Sequence, residues 1–373
     1  MSHCLYVVGY SGCVLEWRCE VCICAAEVNL MRDYSTINSF DNTVSRILTG
    51  VDASTVLRLI PTGQRIVCIT DRTVALLHPQ LIDNFETIVI DPGESSKSLA
   101  VVEQIILQLL DKRADRNTFL LGVGGGVVTD ITGFTASIFM RGVDFGFVAT
   151  TLLAQVDAAI GGKNGVDVGG FKNMAGVFRQ PKFVVCDSDV LRTLPDREFR
   201  AGMAEVIKAA VIGDRTLMKM CSSLGARPEG ELLDEIISRA IAVKSQIVQA
   251  DECESGARKL LNLGHTFAHA IEKCDSRVGH GEAVAIGLCM ASDLSVKLGL
   301  CAPQVRNEIY DAVGHISLPQ RSGVGTDQLL EVMKTDKKHS GESVDLILPK
   351  TIGQCVIEPV SFTVLGRLLN ENF

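Results

Sequence analysis

The chain has 373 residues, of which 47% are hydrophobic, and it carries a formal net charge of −8. Its length and hydrophobic content exclude general disorder and allow a two-domain enzyme with a sizeable core. The acidic balance argues against broad nucleic-acid binding, and no uncharged apolar run is long enough for a membrane span, so we expect a cytoplasmic protein without nucleic-acid or membrane partners.

The first thirty residues differ in character from the rest. Five of the thirteen cysteines lie in the first 24 residues, and Cys19 and Cys22 form a CxxC without a second pair at zinc-ribbon spacing. The other cysteines are scattered singly, as in a reduced cytosolic protein. Charged residues interrupt the apolar stretch, which argues against a secretory signal. We interpret residues 1–30 as a poorly ordered extension outside the fold, followed by an amphipathic segment that begins at Met31.

From Ile66 onward, short apolar runs rich in β-branched residues alternate with helical stretches. Such runs are typical of strands buried on both faces of a parallel sheet. Ser98–Leu110 has the periodicity of a helix between two of them. The pattern therefore predicts a doubly wound, Rossmann-like α/β domain with a mostly parallel sheet over residues 31–190. The predicted strands are Ile66–Thr70, Thr87–Ile90, Thr118–Gly122, Gly146–Ala149 and Phe183–Cys186.

Beyond Pro195 the sequence has helical periodicity, and β-branched alternation returns only at Val344–Leu348. We therefore place a domain boundary near residue 190 and predict a mainly α-helical domain over residues 191–373. The predicted helices are Phe199–Ile212, Leu232–Ala250, Thr266–Cys274, Ala283–Leu298, Val305–Val313 and Leu329–Lys334.

A glycine-rich turn, Gly122–Asp130 (GVGGGVVTD), joins an apolar strand to a helical stretch. Glycines here let the backbone approach a pyrophosphate, and a helix N-terminus supplies free N–H groups. The spacing is not GxGxxG, and a tight turn without a ligand is the alternative. Pro92–Lys97 (PGESSK) and Thr150–Thr151 also end predicted strands, where ligands gather in such sheets. A nucleotide cofactor is predicted on these grounds.

Potential metal ligands lie in three separated segments. A zinc site that performs chemistry needs three protein ligands and one open position, which Glu205, His265 and His280 can supply. His269 lies four residues after His265, on the same helix face. The segments are Ala204–Lys208 (AEVIK), Asn262–Glu272 (NLGHTFAHAIE) and Gly279–Glu282 (GHGE).

Other interpretations of these residues stay open. A lone histidine is more often structural than a ligand. Glu205 can instead form a buried pair with Lys208, three residues away on the same helix face. Asn262 can orient a substrate oxygen or the metal site, or it can cap a helix. Glu272 and Glu282 are alternative ligands that rank lower.

Basic residues recur in and around these motifs. Each alone is most often a surface charge. Lys163 and Lys172, however, lie in glycine-rich loops, where backbone and cation can hold a phosphate together. The pattern suits a small phosphorylated substrate. The residues are Arg141, Lys163, Lys172 (beside Asn173), Lys208, Lys244, Arg258, Lys337 and Lys338.

Taken together, these motifs resemble the 3-dehydroquinate synthase family, from about Asp71 to Lys338. The resemblance rests on many motifs in order rather than on one. They read PGESSK, GGGVVTD, FMRG, TTLLAQVDAAIGGKNG, KNMAGVF, TLPDREFRAGMAEVIK, RKLLNLGHTFAHAIE, HGEAVAIG and DKK.

The resemblance implies a bound NAD, a divalent zinc or cobalt ion, and the substrate 3-deoxy-D-arabino-heptulosonate 7-phosphate. It implies metal ligation by Glu205, His265 and His280, and a homodimer in which Arg141 enters the neighbouring subunit's site. The implied NAD contacts are Asp71, Glu94, Lys97, Gly125, Gly126, Val127, Asp130, Thr150, Thr151, Leu153, Lys163, Lys172, Thr193, Leu194 and Glu198. The implied substrate and catalytic residues are Arg141, Asp157, Lys163, Asn173, Lys208, Lys244, Arg258, Asn262, His269 and Lys337.

The implied reaction is a transient oxidation by NAD, elimination of phosphate, return of the hydride and an intramolecular aldol closure. His269 and Lys163 would bind the phosphate, and Arg258 and Lys244 would face the substrate carboxylate. Ala159 and Asn164 stand where many members have serine and threonine. These departures concern details of the cofactor and phosphate loops and not the reaction.

Three alternatives compete with this interpretation. Another sugar phosphate cyclase, such as a 2-deoxy-scyllo-inosose synthase, would take a substrate without a carboxylate, whereas the retained basic residues favour an acidic one. A metal-dependent polyol dehydrogenase resembles GGGxxxDxxK, but this segment reads GGGVVTDITG and lacks the lysine. A non-catalytic binding protein on the same fold should have lost some ligands, and none of the proposed ones is missing.

Overall fold

The structure of the chain is a computed structural model that describes residues 32–37, 44–225, 227–335 and 342–370. The predictions for residues 1–30 and for Lys337 lie outside these residues. Within the described part, no helix combines the length and apolarity that crossing a bilayer requires.

One seven-stranded sheet, in the order β1-β2-β9-β6-β5-β3-β4, forms the centre of the first half. Neighbouring strands run parallel except for β1, which is antiparallel to β2. All five predicted strands and the Rossmann-like α/β class are confirmed. The strands among the described residues are β1 (Arg32–Ile37), β2 (Val44–Thr49), β3 (Ile66–Asp71), β4 (Glu86–Ile90), β5 (Phe119–Gly124), β6 (Phe145–Ala149), β7 (Lys163–Val168), β8 (Phe171–Phe178), β9 (Phe183–Cys186), β10 (Ser343–Thr351) and β11 (Gln354–Ser361).

Burial on both faces explains why the central strands were recognisable. Every residue of β5 is buried, and the same holds for β6 and β9. Phe119 and Phe183 stack on one side of the sheet with ring centroids 5.7 Å apart. At Gly122, an added Cβ would lie 3.0 Å from Phe147 and Thr132, so the missing side chain lets the following helix pack closely against the sheet.

Eleven α-helices are found in the described part, and all the predicted helices are confirmed with small shifts at their ends. They are α1 (Arg72–Leu77), α2 (Leu99–Asp111), α3 (Gly126–Ile138), α4 (Asp196–Gly213), α5 (Arg215–Ser222), α6 (Gly230–Ala250), α7 (His265–Cys274), α8 (His280–Lys297), α9 (Pro303–His315), α10 (Thr326–Thr335) and α11 (Phe362–Asn370). The predicted boundary near residue 190 falls between β9 and α4, in the 3₁₀ turn Asp189–Thr193. The division into two domains there stays a prediction.

Helix α8 is buried along most of its length and packs against α4, α7 and α9. Glycines permit the closest approaches. An added Cβ at Gly281 would lie 2.3 Å from the Cα of Ala201 on α4, and one at Gly287 would lie 2.1 Å from the carbonyl oxygen of Gly264, just before α7. These approaches place the first turns of α7 and α8 beside the middle of α4.

Two pairs of strands were not predicted as such. The segment after Met31 was expected to be amphipathic, and it forms the β1–β2 hairpin at the edge of the sheet, where β2 pairs with β9. Strands β7 and β8 form a separate antiparallel hairpin that packs against α3. The strand predicted at Val344–Leu348 is longer in the structure, and it is followed by β11 and α11.

Candidate metal and cofactor site

Three side chains that are distant in the sequence meet beside the N-terminal turns of α7 and α8. Glu205 lies in the middle of α4, and His265 and His280 are the first residues of α7 and α8. One potential ligand atom from each lies within 4.8 Å of the other two. The Nε2 atoms of both histidines are 3.5 Å from Oε1 of Glu205. The structure therefore brings together the three predicted metal ligands.

The surroundings of Glu205 fit a cation. The residue is 2% exposed, and neither carboxylate oxygen has a hydrogen bond of normal geometry to any described residue. Nζ of Lys208 lies 2.5 Å from Oε2. Burial alone would raise the pKa of Glu205, but Lys208 and the two histidines outweigh it and hold the pKa well below its usual value. A buried carboxylate that stays ionised between two imidazole nitrogens is a suitable ligand for a divalent metal.

The two histidines have different electrostatic environments. Burial, together with Lys208, lowers the pKa of His265 to about 3, so its imidazole is neutral and can bind a metal. Burial would also lower the pKa of His280, but Glu205 and Glu272 outweigh this and raise it to about 9. A cation that binds here would therefore displace a proton from His280.

A buried network of lysines and a carboxylate adjoins the metal cluster. Oδ1 of Asp157 lies 3.7 Å from Nζ of Lys208 and also pairs with Lys244, whose Nζ donates to the Asp157 carbonyl oxygen at 2.5 Å. Burial lowers the pKa of Lys244 to about 8, although Asp157 opposes the shift. Burial would lower the pKa of Lys208, but its two carboxylate neighbours raise it. Three predicted catalytic residues are thus in one network.

A second group of predicted substrate residues is linked by an acid that the sequence analysis did not single out. Glu254 accepts from Nζ of Lys163 at 2.5 Å and from Nδ2 of Asn262 at 2.6 Å. It lies in the loop after α6 with φ at +60°. The only sequence signal for it was the acidic segment DECES ahead of Arg258.

Arg258 is 1% exposed, and its guanidinium is held by the protein. Nη1 donates to the carbonyl of Glu252, and Nη2 donates to that of Gly161 at 2.7 Å. Its backbone N–H, followed by those of Gly256 and Ser255, donates to Asp251 and lowers the pKa of that carboxyl to about 2. The expected role of Arg258 at a substrate carboxylate stays a prediction.

The glycine-rich turn lies at the carboxyl end of β5, between those of β3 and β6. Gly125 precedes α3, and a Cβ there would lie 2.8 Å from Thr151. Directly after β6, the Oγ1 of Thr150 is buried without a hydrogen-bond partner among the described residues. On β3, Asp71 caps α1 by accepting from the N–H groups of the first turn. The glycine backbone and the polar groups at three adjacent strand ends fit a dinucleotide.

The other predicted cofactor residues lie around this turn. Lys97 pairs with Asp130 on α3, and the lysine side chain is 8% exposed. Burial raises the pKa of Asp130 to about 6, although Lys97 opposes the shift. Thr193 receives or donates a hydrogen bond of 2.7 Å with His78. The remainder are exposed or half-buried: Glu94, Gly126, Val127, Leu153, Lys172, Leu194 and Glu198.

Three further predicted residues lie at or near the surface. Arg141 is exposed on the turn after α3, and Asn173 is exposed on β8. His269 is half-buried one helical turn after His265, and the two rings meet edge to face with centroids 5.6 Å apart. The roles assigned to these residues by resemblance stay predictions.

The two alternative ligands have other contacts. Glu282 closes the start of α8 by accepting from the N–H of Gly279 at 2.8 Å, and it pairs with Arg197. Glu272 lies behind His280, 3.5 Å from Nδ1, the ring nitrogen opposite Glu205. The sequence AHAIE indicated that Glu272 lies on a helix, but it did not show which nitrogen of the His280 ring the carboxylate would face.

A family model described as 3-dehydroquinate synthase N-terminal matches residues 87–201, and one described as 3-dehydroquinate synthase C-terminal matches residues 202–339. A 3-dehydroquinate synthase of Campylobacter curvus is 43% identical over 286 residues, covering 76% of this chain and 82% of that protein. One from Sulfurovum sp. is 41% identical, covering 82% of this chain and 90% of its own.

Solved structures with the same fold include two cyclases. A 2-deoxy-scyllo-inosose synthase complexed with carbaglucose-6-phosphate, NAD+ and Co2+ has a TM-score of 0.82 at 22% identity, covering 92% of this chain and 100% of that chain. A 2-epi-5-epi-valiolone synthase from Streptomyces hygroscopicus with NAD+ and Zn2+ bound has a TM-score of 0.76 at 27% identity, covering 82% and 89%. An iron-containing alcohol dehydrogenase from Thermococcus thioreducens has a TM-score of 0.60 at 14% identity, covering 76% and 90%. The likenesses at 22% and 14% show the fold alone.

Proposed function

We propose how the residues of this chain carry out the reaction of the 3-dehydroquinate synthase family, to which the chain belongs. The enzyme is a phosphate-eliminating cyclase of the shikimate pathway that converts 3-deoxy-D-arabino-heptulosonate 7-phosphate to 3-dehydroquinate and phosphate. The observation that supports the assignment most is the meeting of Glu205, His265 and His280 within 4.8 Å of one another. These residues would hold a divalent cation.

Both proposed cofactors, NAD and a divalent metal, match the side chains at their sites. Glu205 is buried and ionised beside two imidazoles. The N-terminus of α3 suits the pyrophosphate of NAD, and the buried Thr150 hydroxyl, which has no hydrogen-bond partner in the described part of the chain, suits its polar groups. When bound, NAD accepts a hydride from the substrate and returns it, and a divalent cation lowers the pKa of the reacting hydroxyl. Solved cyclases of this fold contain NAD+ with Co2+ or Zn2+. We propose that the site formed by Glu205, His265 and His280 binds zinc or cobalt.

The lysine network would orient the substrate and hold protons during the elimination. Lys208 stays protonated because Asp157 and Glu205 favour its charge. Lys244, whose pKa is lowered to about 8 by burial, can hold or release a proton at Nζ near neutral pH. Both side chains are buried, which limits the access of water to this side of the site. Positioning of a flexible intermediate for ring closure is then the main contribution of these residues.

The anionic ends of the substrate would be bound by the remaining basic residues. Lys163 and Asn262 are held side by side through Glu254. We assign Lys163 and His269 to the phosphate and Lys244 and Arg258 to the carboxylate, as the family resemblance implies. Asn173 and Lys337 complete the proposed substrate contacts. We also propose a homodimer in which Arg141, exposed on its turn, enters the neighbouring subunit's site.

A dehydrogenase on the same fold is the alternative that a direct assay separates. We would measure phosphate release from the heptulosonate phosphate with and without a chelator, and with and without added NAD. Release that requires both cofactors, with no net accumulation of NADH, supports the cyclase. Steady accumulation of NADH without phosphate release would contradict the proposal. If the protein does not release phosphate from the acidic substrate but does convert a neutral sugar phosphate, the result would instead indicate another cyclase.

A further inference from the structure

Glu272 occupies a position between the metal cluster and the β7–β8 hairpin. It lies on α7, two turns after His265, and its side chain is 11% exposed. Oε1 is 2.9 Å from Nζ of Lys172 on β8 and 3.5 Å from Nδ1 of His280. On the other side of the same ring, Nε2 of His280 faces Glu205. The His280 imidazole therefore lies between two carboxylates, one at each nitrogen.

We propose that Glu272 is a positioning residue, which accepts a hydrogen bond from Nδ1–H of His280 and so directs Nε2 of that ring toward the metal. The inference rests on the proposed metal site and assigns its outer partner. Through Lys172, the same carboxylate ties the hairpin that bears Lys163 and Asn173 to the metal-binding helices.

The chemistry of imidazole supports this arrangement. A neutral imidazole has one N–H donor and one nitrogen lone pair, and only the latter can bind a metal. Glu205 marks the side on which a cation would be bound, because His265 also reaches that side. The ring of His280 must then carry its proton on the side of Glu272. Carboxylates in this position fix the tautomer and orientation of a ligating histidine and make it more basic.

Glu272 itself is poorly placed as a ligand. The atoms that converge within 4.8 Å come from Glu205, His265 and His280. Oε1 of Glu272 already faces two donor groups, Nζ of Lys172 at 2.9 Å and Nδ1 of His280 at 3.5 Å, of which the second separation is longer than an ordinary hydrogen bond. The ring of His280 would therefore separate Glu272 from a bound cation, whereas Glu205 would contact the cation directly.

Glu282 provides a matched control. It is also a glutamate, it lies in the first turn of α8, and its carboxylate accepts from the N–H of Gly279 instead of contacting the His280 ring. Its carboxylate pairs with Arg197 on the surface. Glu272→Gln keeps the size of the side chain and removes its charge, and Glu282→Gln makes the same chemical change at an acid whose partners are Arg197 and the N–H of Gly279.

The test uses metal-free full-length protein without substrate or NAD, so that its readout is binding and not turnover. We would measure the Kd for Co2+ by chelator competition and record the visible absorption of the Co2+ complex. Glu272→Gln should bind about 10- to 100-fold more weakly than wild type, with a changed visible spectrum. Glu282→Gln should stay within about twofold. A wild-type Kd and spectrum in Glu272→Gln would overturn the inference.

A second variant separates orientation of the ring from a loss of packing at the hairpin. Lys172 is 48% exposed, and Lys172→Met leaves Glu272 in contact with His280. This variant should keep Co2+ affinity close to wild type. A loss equal to that of Glu272→Gln would overturn the inference, since the hairpin and not the ring would then set the affinity.

If Glu272→Gln fails to fold, the tautomer can be determined in the wild-type protein. With ¹⁵N-labelled histidine and bound Zn2+, the His280 ring should show a protonated Nδ1 and a metal-bound Nε2. Metal bound through Nδ1 would overturn the inference. Failure of wild type to bind one Co2+ at all would contradict the proposed metal site, whereas normal wild-type binding with an unaffected Glu272→Gln would reject only the role of Glu272.

Discussion

Replacement of Lys208 by methionine should destabilise the metal-free protein strongly, because it removes one partner of a buried charge cluster. The lysine side chain is 4% exposed, and its Nζ lies 2.5 Å from Glu205 and 3.7 Å from Asp157. At 2.5 Å, an effective dielectric of about 20 gives an attraction of about 7 kcal/mol, which the cost of desolvating the ammonium partly offsets. Breaking such a pair from one side costs about 3–5 kcal/mol in the free energy of unfolding.

A divalent cation should reverse part of this loss. It supplies positive charge to Glu205 where the ammonium of Lys208 has been removed, and it no longer experiences repulsion from that ammonium. We therefore expect Lys208→Met to bind Zn2+ or Co2+ at least about tenfold more tightly than wild type, which corresponds to about 1.4 kcal/mol. The gap in stability between variant and wild type should narrow when both are saturated with metal.

Scanning calorimetry of the metal-free and metal-saturated proteins measures both effects. For a chain of this size, a loss of 3–5 kcal/mol lowers Tm by about 4–6 °C. Lys219→Met, at an exposed lysine on α5, is the matched control and should change Tm by less than about 1 °C. Unfolding of metal-free Lys208→Met within about 1 °C of wild type would contradict this expectation, and so would a difference in Tm that added metal leaves unchanged.

Three further changes test other parts of the structure. His265→Ala should abolish metal retention, measured by elemental analysis, while circular dichroism shows an intact fold. Gly287→Ala should cost about 1–3 kcal/mol or more in thermal unfolding, because the new Cβ would lie 2.1 Å from the carbonyl oxygen of Gly264. Asp251, with its pKa lowered to about 2, stabilises the fold above the ordinary aspartate pKa and loses that effect as pH falls through the folded-state value. Asp251→Asn should therefore be less stable than wild type in urea at pH 6, with a smaller difference near pH 3.

Each of these has an outcome that contradicts it. Full metal content in His265→Ala would show that the ligand assignment is wrong. Gly323→Ala is the control for Gly287→Ala, because an added Cβ at Gly323 meets no described atom within 4 Å. An equal loss of stability in both variants would show that the close approach at Gly287 is not the cause. A stability difference for Asp251→Asn that grows as pH falls would reverse the sign expected from its backbone hydrogen bonds.

The central sheet was predictable because its signal is local. Strands such as β5, buried on both faces, appear as continuous apolar runs, and the glycines after β5 mark its turn. The β1–β2 hairpin lacked such a signal. Its place in the sheet depends on pairing with β9, whose residues follow more than a hundred positions later. The β7–β8 hairpin is rich in glycine and polar residues, which suggested loops rather than strands.

The identity of the site residues was more predictable than their contacts. The motifs placed Glu205 and His265 in helical sequence and His280 at a turn before the next helix, but only the packing of α4, α7 and α8 shows that they meet. The link from Glu254 to Lys163 crosses 91 positions, and no local pattern reveals it. Burial of the Arg258 guanidinium between backbone carbonyls likewise depends on the fold around it.

Anomalous diffraction at the cobalt edge, from crystals of the metal-loaded wild-type protein, tests the central claim most directly. We expect one strong peak bonded to a carboxylate oxygen of Glu205 and to Nε2 of both His265 and His280. A peak bonded to other residues, or none at these three side chains in protein that retains the metal, would contradict it.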